Sequence, residues 1–216
     1  MTKEYFQIKD KCREGLLKYL SEAFFQIPKT DNPKILDIGC GTGVPTIWIA
    51  ENTNGIITAI DTSKTSLDWL KEKISMKNLD NQIITSNISF NDLKDNQDYY
   101  DIIVAEGFLN VIGFESGFPV IIDMLAHNGY FIIHDEYMDH ERKCALINKY
   151  QSKIIGTLYL DENVWWNDYY RLLETEIKSI DNSQTKDLFI PDIKEIDLYK
   201  IDSSPFKSIY YIIKKL

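Results

Sequence analysis

The chain has 216 residues, 44% of them hydrophobic and 26% charged, with a formal net charge of −9. This composition supports one buried core and excludes a disordered chain, and an acidic surface repels phosphate backbones, so no nucleic-acid partner is expected. No apolar run reaches the roughly 20 residues needed to cross a bilayer, the stretch from Met1 to Asp10 lacks the core of a signal peptide, and Cys12, Cys40 and Cys144 form neither a disulfide framework nor a metal pattern. The expectation is a cytoplasmic protein with no membrane contact and no metal.

Phe6, Cys12, Leu16, Leu20 and Phe24 recur at a helical period, which predicts an N-terminal helix over residues 1–27, ended by Pro28 and the Asp31-Asn32-Pro33 cluster. Lys34 to Ile38 is a buried strand running into a glycine turn. A helix from Pro45 to Asn52 follows, then a strand from Ile56 to Ile60 ending at Asp61. Next come a helix from Ser63 to Met76, a strand from Gln82 to Thr85, and a strand from Tyr100 to Ala105. Phe118 to Ala126 reads as a helix left through a left-handed turn at Gly129, and Tyr130 to Ile133 as the fifth strand. Residues from about 137 to 182 read as a helical cap inserted after strand five. Glu195 to Ile201 and Ser208 to Ile213 read as two closing strands, which so short a turn must pair antiparallel. The expected fold is α/β: one domain over residues 1–216, a Rossmann-like, mostly parallel seven-stranded sheet with helices on both faces and an antiparallel C-terminal strand.

The informative segment is Ile35-Leu36-Asp37-Ile38-Gly39-Cys40-Gly41-Thr42-Gly43. A strand enters a loop with glycine at every second position and leaves into a helix, whose N-terminus offers free N–H groups. A dinucleotide loop has the spacing G-x-G-x-x-G, because pyrophosphate must sit on the helix N-terminus. Here Val44 stands where that third glycine would fall, and Asp37 would repel pyrophosphate while suiting an ammonium group. Asp61 ends the second strand, where a carboxylate can take both hydroxyls of a ribose; its other reading is a helix N-cap.

The segment ILDIGCGTGVPTIWIA, Ile35 to Ala50, resembles the first motif of the class I S-adenosylmethionine (SAM)-dependent methyltransferases. The resemblance extends through Asp61 to the final strands. It implies a SAM cofactor, with S-adenosylhomocysteine as product. Gly39, Gly41 and Gly43 would hold the methionine part, Asp61 the ribose, with Thr62 beside it among the cofactor-binding residues, and Asn87 and Ile88 would flank the adenine. Many members have aspartate where Asn87 stands. Within the family, Ala105 to Glu115 and Trp165 to Tyr170 are similar to a subgroup of small bacterial and archaeal proteins.

In an open α/β sheet, ligands bind beyond the carboxyl ends of the strands. Those ends carry Asp37, Asp61-Thr62, Ser86-Asn87, Glu106-Gly107 and His134-Asp135-Glu136. Methyl transfer requires alignment and exclusion of water, and a base for some acceptors. His134 and Glu106 are the leading catalytic candidates, ahead of Glu136 and His140, and Glu106 is also a candidate for orienting SAM. Trp165 and Tyr169 are expected to line the acceptor pocket, with Trp166 and Tyr170 in a core. Oxygen ligation of a metal by Glu106, Asp135 and Glu136 is the weaker alternative. A small-molecule acceptor remains by elimination, because neither an Asn/Asp-Pro-Pro-aromatic signature nor a Pro-Cys nucleophile is present. The rivals are a SAM-binding protein without catalysis and a nicotinamide-dependent oxidoreductase. The sequence leaves oligomeric state open.

Overall fold

The computed structural model describes residues 1–93 and 99–216. These residues form a seven-stranded sheet in the order β3-β2-β1-β4-β5-β7-β6. The strands are β1 (Lys34–Ile38), β2 (Ile56–Ile60), β3 (Ile83–Ser86), β4 (Tyr100–Glu106), β5 (Leu125–Glu136), β6 (Ser152–Leu160) and β7 (Ser208–Lys215). Neighbours from β3 to β5 are parallel, and β7 runs antiparallel to both β5 and β6. The helices are α1 (Lys3–Arg13), α2 (Leu17–Phe24), α3 (Val44–Asn52), α4 (Lys64–Met76), α5 (Leu109–Ile112), α6 (Phe114–Met124) and α7 (His140–Lys149). They continue with α8 (Glu162–Trp165), α9 (Arg171–Ser179), α10 (Ser183–Asp187) and α11 (Ile190–Ile201).

Strand periodicity sorts the core into two layers. Ile35, Ile57, Ile102, Val104, Ile132 and Ile212 pack on one face of the sheet. Leu36, Ile60, Ile103, Phe131, Ile133 and Ile213 pack on the other. Each such side chain contributes about 1.5–3 kcal/mol when removed from water. A third core lies away from the sheet, where Cys12 of α1 joins Tyr170, Leu173, Ile177, Phe189 and Ile196.

The structure corrects the expected C-terminal half in two places. Glu195 to Ile201 is not a strand but the body of α11. Its buried residues, Asp192, Ile196 and Tyr199, follow a helical spacing, and Pro191 sits in its first turn. The antiparallel partner of β7 is instead β6, which interrupts the segment 137–182 that is expected to be a mainly helical cap. The helical cap therefore lies between β6 and β7, from α8 to α11, rather than directly after β5. Two smaller corrections concern glycines. The N-terminal helix breaks at Glu14–Leu16, where a Cβ on Gly15 would lie 2.2 Å from the carbonyl oxygen of Asp168. The left-handed residue is Asn128, at φ 62°, not Gly129, and it lies within β5, which already begins at Leu125. Gly129 is required by close approach, since a Cβ there would lie 2.8 Å from the Ala126 oxygen.

Candidate functional site

The carboxyl ends of β1, β2, β4 and β5 form one edge, and α1 and the cap close over it. In the loop after β1, Gly39, Gly41 and Gly43 adopt φ of 69°, 54° and 77°. Such values are costly for any residue with a Cβ. Gly39 and Cys40 donate their N–H groups to the Ile60 carbonyl at 2.9 and 3.0 Å, which folds the loop against β2. At Gly43, a Cβ would lie 2.3 Å from Leu70, so α3 packs closely on α4 through this position.

Asp37 sits at the end of β1 with its side chain buried, and accepts a 2.5 Å hydrogen bond from Thr46 Oγ1. Burial pushes its carboxyl up to about 7, with Glu106 and Asp61 adding to the rise and Thr46 opposing it. A cation in front of Asp37 would relieve this cost. Asp61 uses one oxygen to accept from Gly41 N at 2.8 Å and the other from Ser63 N at 2.7 Å. The cap of α4 is Ser63, whose Oγ accepts from Ser66 N, so Asp61 braces the glycine loop instead. Asn87 donates to the Asp61 carbonyl at 2.9 Å. Asp61, Asn87 and the loop thus form one connected row. Ile88 packs at the border of the core, and Thr62 is exposed beside Asp61.

Next to this row lies a cavity of about 220 Å³. Of the sequence-derived candidates, Asp37, Gly39, Glu106, His134, Trp165 and Tyr169 line it. Gly41, Gly43, Asp61, Thr62, Asn87 and Ile88 stand outside its wall. Glu106 accepts a 2.6 Å hydrogen bond from the Tyr210 hydroxyl. Burial raises the Glu106 carboxyl above its ordinary range, against the opposing pull of Tyr210 and Arg13. His134 lies parallel to the Tyr210 ring, with centroids 4.3 Å apart, and to Trp165 at 5.9 Å. Its Nε2 is 2.9 Å from Ser208 Oγ, and burial pulls the imidazole down to about 4, so it is neutral near pH 7. The acids weighed as metal ligands are engaged separately, Glu106 by Tyr210 and Asp135 by Lys143 at 2.8 Å.

The cavity also contains residues that the sequence reading missed. Lys9 and Arg13 lie one helical turn apart on α1 and reach in together. Lys9 Nζ donates to the Tyr169 hydroxyl at 2.7 Å and pairs with Asp192. Tyr169 also favours the charged form of the buried Arg13 guanidinium. Glu195 was hidden inside the misread strand, and Tyr210 sits on β7. The cap side is further shaped by Trp166–Tyr170, a single π-helical turn. This wide turn places Tyr169 and Tyr170 both beside Trp165, at 6.1 and 5.9 Å. Tyr170 is buried in the third core as expected, whereas Trp166 is half-buried and stacks on Tyr199.

Asp10 joins the two walls. It is buried on α1 and accepts from Thr42 Oγ1 at 2.5 Å, Trp69 Nε1 at 2.8 Å and Lys73 Nζ at 2.5 Å. It therefore ties α1 to both the glycine loop and α4.

Comparison with known proteins gives the family. A family profile described as a methyltransferase domain matches residues 29–176. The chain belongs to this methyltransferase family, in the class I, SAM-dependent branch whose sheet it shares. It is 30% identical over 145 residues to a ribosomal RNA small subunit methyltransferase G of Psychrobacter cryohalolentis, covering 66% of this chain and 58% of that protein. It is 26% identical over 141 residues to (S)-coclaurine N-methyltransferase of Thalictrum flavum subsp. glaucum, covering 64% of this chain and 35% of that one. The match thus spans between about a third and three-fifths of these relatives' length. Among solved structures, the [4+2]-cyclase SpnF shares the fold with a TM-score of 0.79 at 12% identity, over 92% of this chain and 80% of that one. No helix among the described residues is long and apolar enough to cross a membrane.

Proposed function

We propose that the chain transfers a methyl group from SAM to a small-molecule acceptor, with the cofactor lying across the edge from Asn87 to Asp37. The observation that carries this reading is Asp37: a buried carboxylate beside the glycine loop, hydrogen-bonded by Thr46, fits the ammonium of an amino acid. Arg13, in the same cavity, offers a partner for the amino-acid carboxylate. Asp61 and Asn87 lie where ribose and adenine would follow along the row. SAM supplies a methyl group already activated on a sulfonium, so the protein's work is placement and dehydration. Glu106 and Asp37 present negative charge toward that centre. Trp165, Tyr169 and α1 cover it from water. Glu106, with its raised carboxyl, is the better proton acceptor of the two catalytic candidates. His134 is too weakly basic and acts as a flat wall between Tyr210 and Trp165. The acidic surface supports a small acceptor over RNA, and the coclaurine enzyme is a relative named for methylating nitrogen.

Isothermal calorimetry tests the cofactor: SAM and S-adenosylhomocysteine should bind and NAD should not, and the reverse would sink the reading. Radiolabelled SAM offered with a metabolite panel should then yield a labelled small molecule. Label appearing only in RNA would contradict the small-molecule acceptor.

A further inference from the structure

A second chamber of about 280 Å³ adjoins the cofactor cavity and shares Gly107, His134, Trp165 and Glu195 with it. Tyr170 and Phe206 line it, meeting edge to face with ring centroids 5.9 Å apart. Its charged residues are Asp135, Glu136, Glu195 and Lys207. Lys207 lies 3.8 Å from Glu162, and Asp135 lies 2.8 Å from the buried Lys143. Among the described residues, neither Glu136 nor Glu195 has a cation at ion-pair distance. Glu195 Oε1 accepts from the Tyr170 hydroxyl at 2.8 Å, which orients the carboxylate and leaves Oε2 for another donor. A separate observation also points to a missing donor: Asp135 Oδ1 is buried and, among the described residues, has no hydrogen-bond partner.

Building on the methyl-transfer reading above, we propose that this chamber holds the acceptor and that the acceptor is an organic amine with an apolar body. An ammonium group satisfies the unbalanced Glu195 and gains from the faces of Trp165 and Tyr170. A carboxylate or phosphate at the same place would meet Glu136 and Glu195 as like charges. A neutral alcohol would fill the aromatic space but leave those charges uncompensated. The shared wall places the chamber beside the methyl donor, so a nitrogen held at Glu195 faces the cofactor cavity. The bound ammonium first loses a proton, which passes to solvent through the exposed Glu195. The nitrogen lone pair then forms the N–CH₃ bond as the S–CH₃ bond breaks, and sulfur keeps the bonding electron pair. The products are a methylated ammonium ion and S-adenosylhomocysteine, and charge balances without an oxidant, a reductant or a metal.

Three isosteric probes test the proposal: phenethylamine, phenethyl alcohol and phenylacetate, each titrated calorimetrically against protein saturated with S-adenosylhomocysteine. The amine should bind at least tenfold more tightly than either of the others, and with SAM it should give the N-methyl product by mass spectrometry. Glu195→Gln should bring the affinities of the amine and the alcohol to within about twofold of each other in protein that still binds S-adenosylhomocysteine, and Glu195→Asp should restore most of the preference. Equal binding of the three probes, preference for the alcohol or the acid, no binding of the amine, or an undiminished preference in Glu195→Gln would each overturn the proposal. Failure of S-adenosylhomocysteine itself to bind would instead strike the cofactor reading beneath it.

Discussion

On the β1–β4 side the cavity is bordered by Gly39 and Gly107, both in left-handed conformations, and by the carboxylates of Asp37 and Glu106 at strand ends. On the other side it is walled by side chains, Lys9 and Arg13 from α1 and Trp165, Tyr169 and Glu195 from the cap, resting on a core of their own. Backbone recognition tolerates little change in sequence and suits a constant ligand. Side-chain recognition can be rebuilt one residue at a time and suits a ligand that differs between relatives. The cofactor and acceptor halves should therefore respond differently to substitution.

The largest effect is expected in the cap core. Tyr170→Ala should cost roughly 3–5 kcal/mol of stability, because it empties a site that is 1% exposed. Chemical denaturation measures this, and a loss close to zero would mean that the cap has no core of its own. Trp166→Ala should cost less, since Trp166 is only half-buried. On the cofactor side, Gly43→Ala should cost about 2–4 kcal/mol, combining left-handed strain with overpacking against Leu70. SAM binding should fall with it, and unchanged binding would show that the loop can rearrange.

Asp61→Ala should weaken SAM by about 1.5–3 kcal/mol, more than tenfold, while the fold persists. Unchanged affinity would confine Asp61 to bracing the loop. Asp37 gives the comparison a pH axis. Its carboxyl at about 7 lies above the ordinary 3.8, so the folded apoprotein binds more protons than the unfolded chain between those values. Its contribution to stability is therefore lost as pH rises from about 4 to about 7. A bound ammonium favours the ionised form, so SAM affinity should rise over the same window by up to about tenfold per unit. Calorimetry on the wild type and on Asp37→Asn should show that slope and its disappearance. The smallest effect on the cofactor should come from Trp165→Ala: SAM affinity within roughly twofold, with a clear loss of acceptor methylation.

The same division governs what could be read from the sequence. The loop from Asp37 to Gly43 announces itself because backbone geometry demands particular residues at particular spacings, and Asp61 follows from the end of a recognisable strand. The acceptor side carries no such constraint. β6 is an edge strand whose buried and half-buried positions alternate with exposed ones, a weaker signal than the apolar runs of the central strands. In α11, Ile196, Leu198 and Tyr199 imitate a strand, and only the turn begun by Pro191 and buried Asp192 reveals a helix. Glu195 was lost with that error. Lys9 and Arg13 carry no signal of their own in the sequence, since basic residues on an amphipathic helix usually face water; only the fold shows Tyr169 and Asp192 beside Lys9. The expected pairing of Trp165 with Tyr169 is split by the structure: Trp165 lines both chambers, Tyr169 lines only the first and packs in the third core, and Tyr170 lines the second.

The position of β7 has a consequence for how the chain comes to be folded. This strand follows every other in the sequence, yet it occupies the slot between β5 and β6. During synthesis β5 and β6 have no mutual pairing, and their facing edges stay open until residues 208–215 leave the ribosome. The N-terminal helix waits almost as long, since Lys9 meets Asp192 across 183 positions. Long-range closures of this kind are slow and leave strand edges exposed to other chains. The nascent protein should therefore pass through a stage in which the half carrying the glycine loop is already formed while the half carrying the cap is still unstructured, and that stage is the one most in need of protection from aggregation.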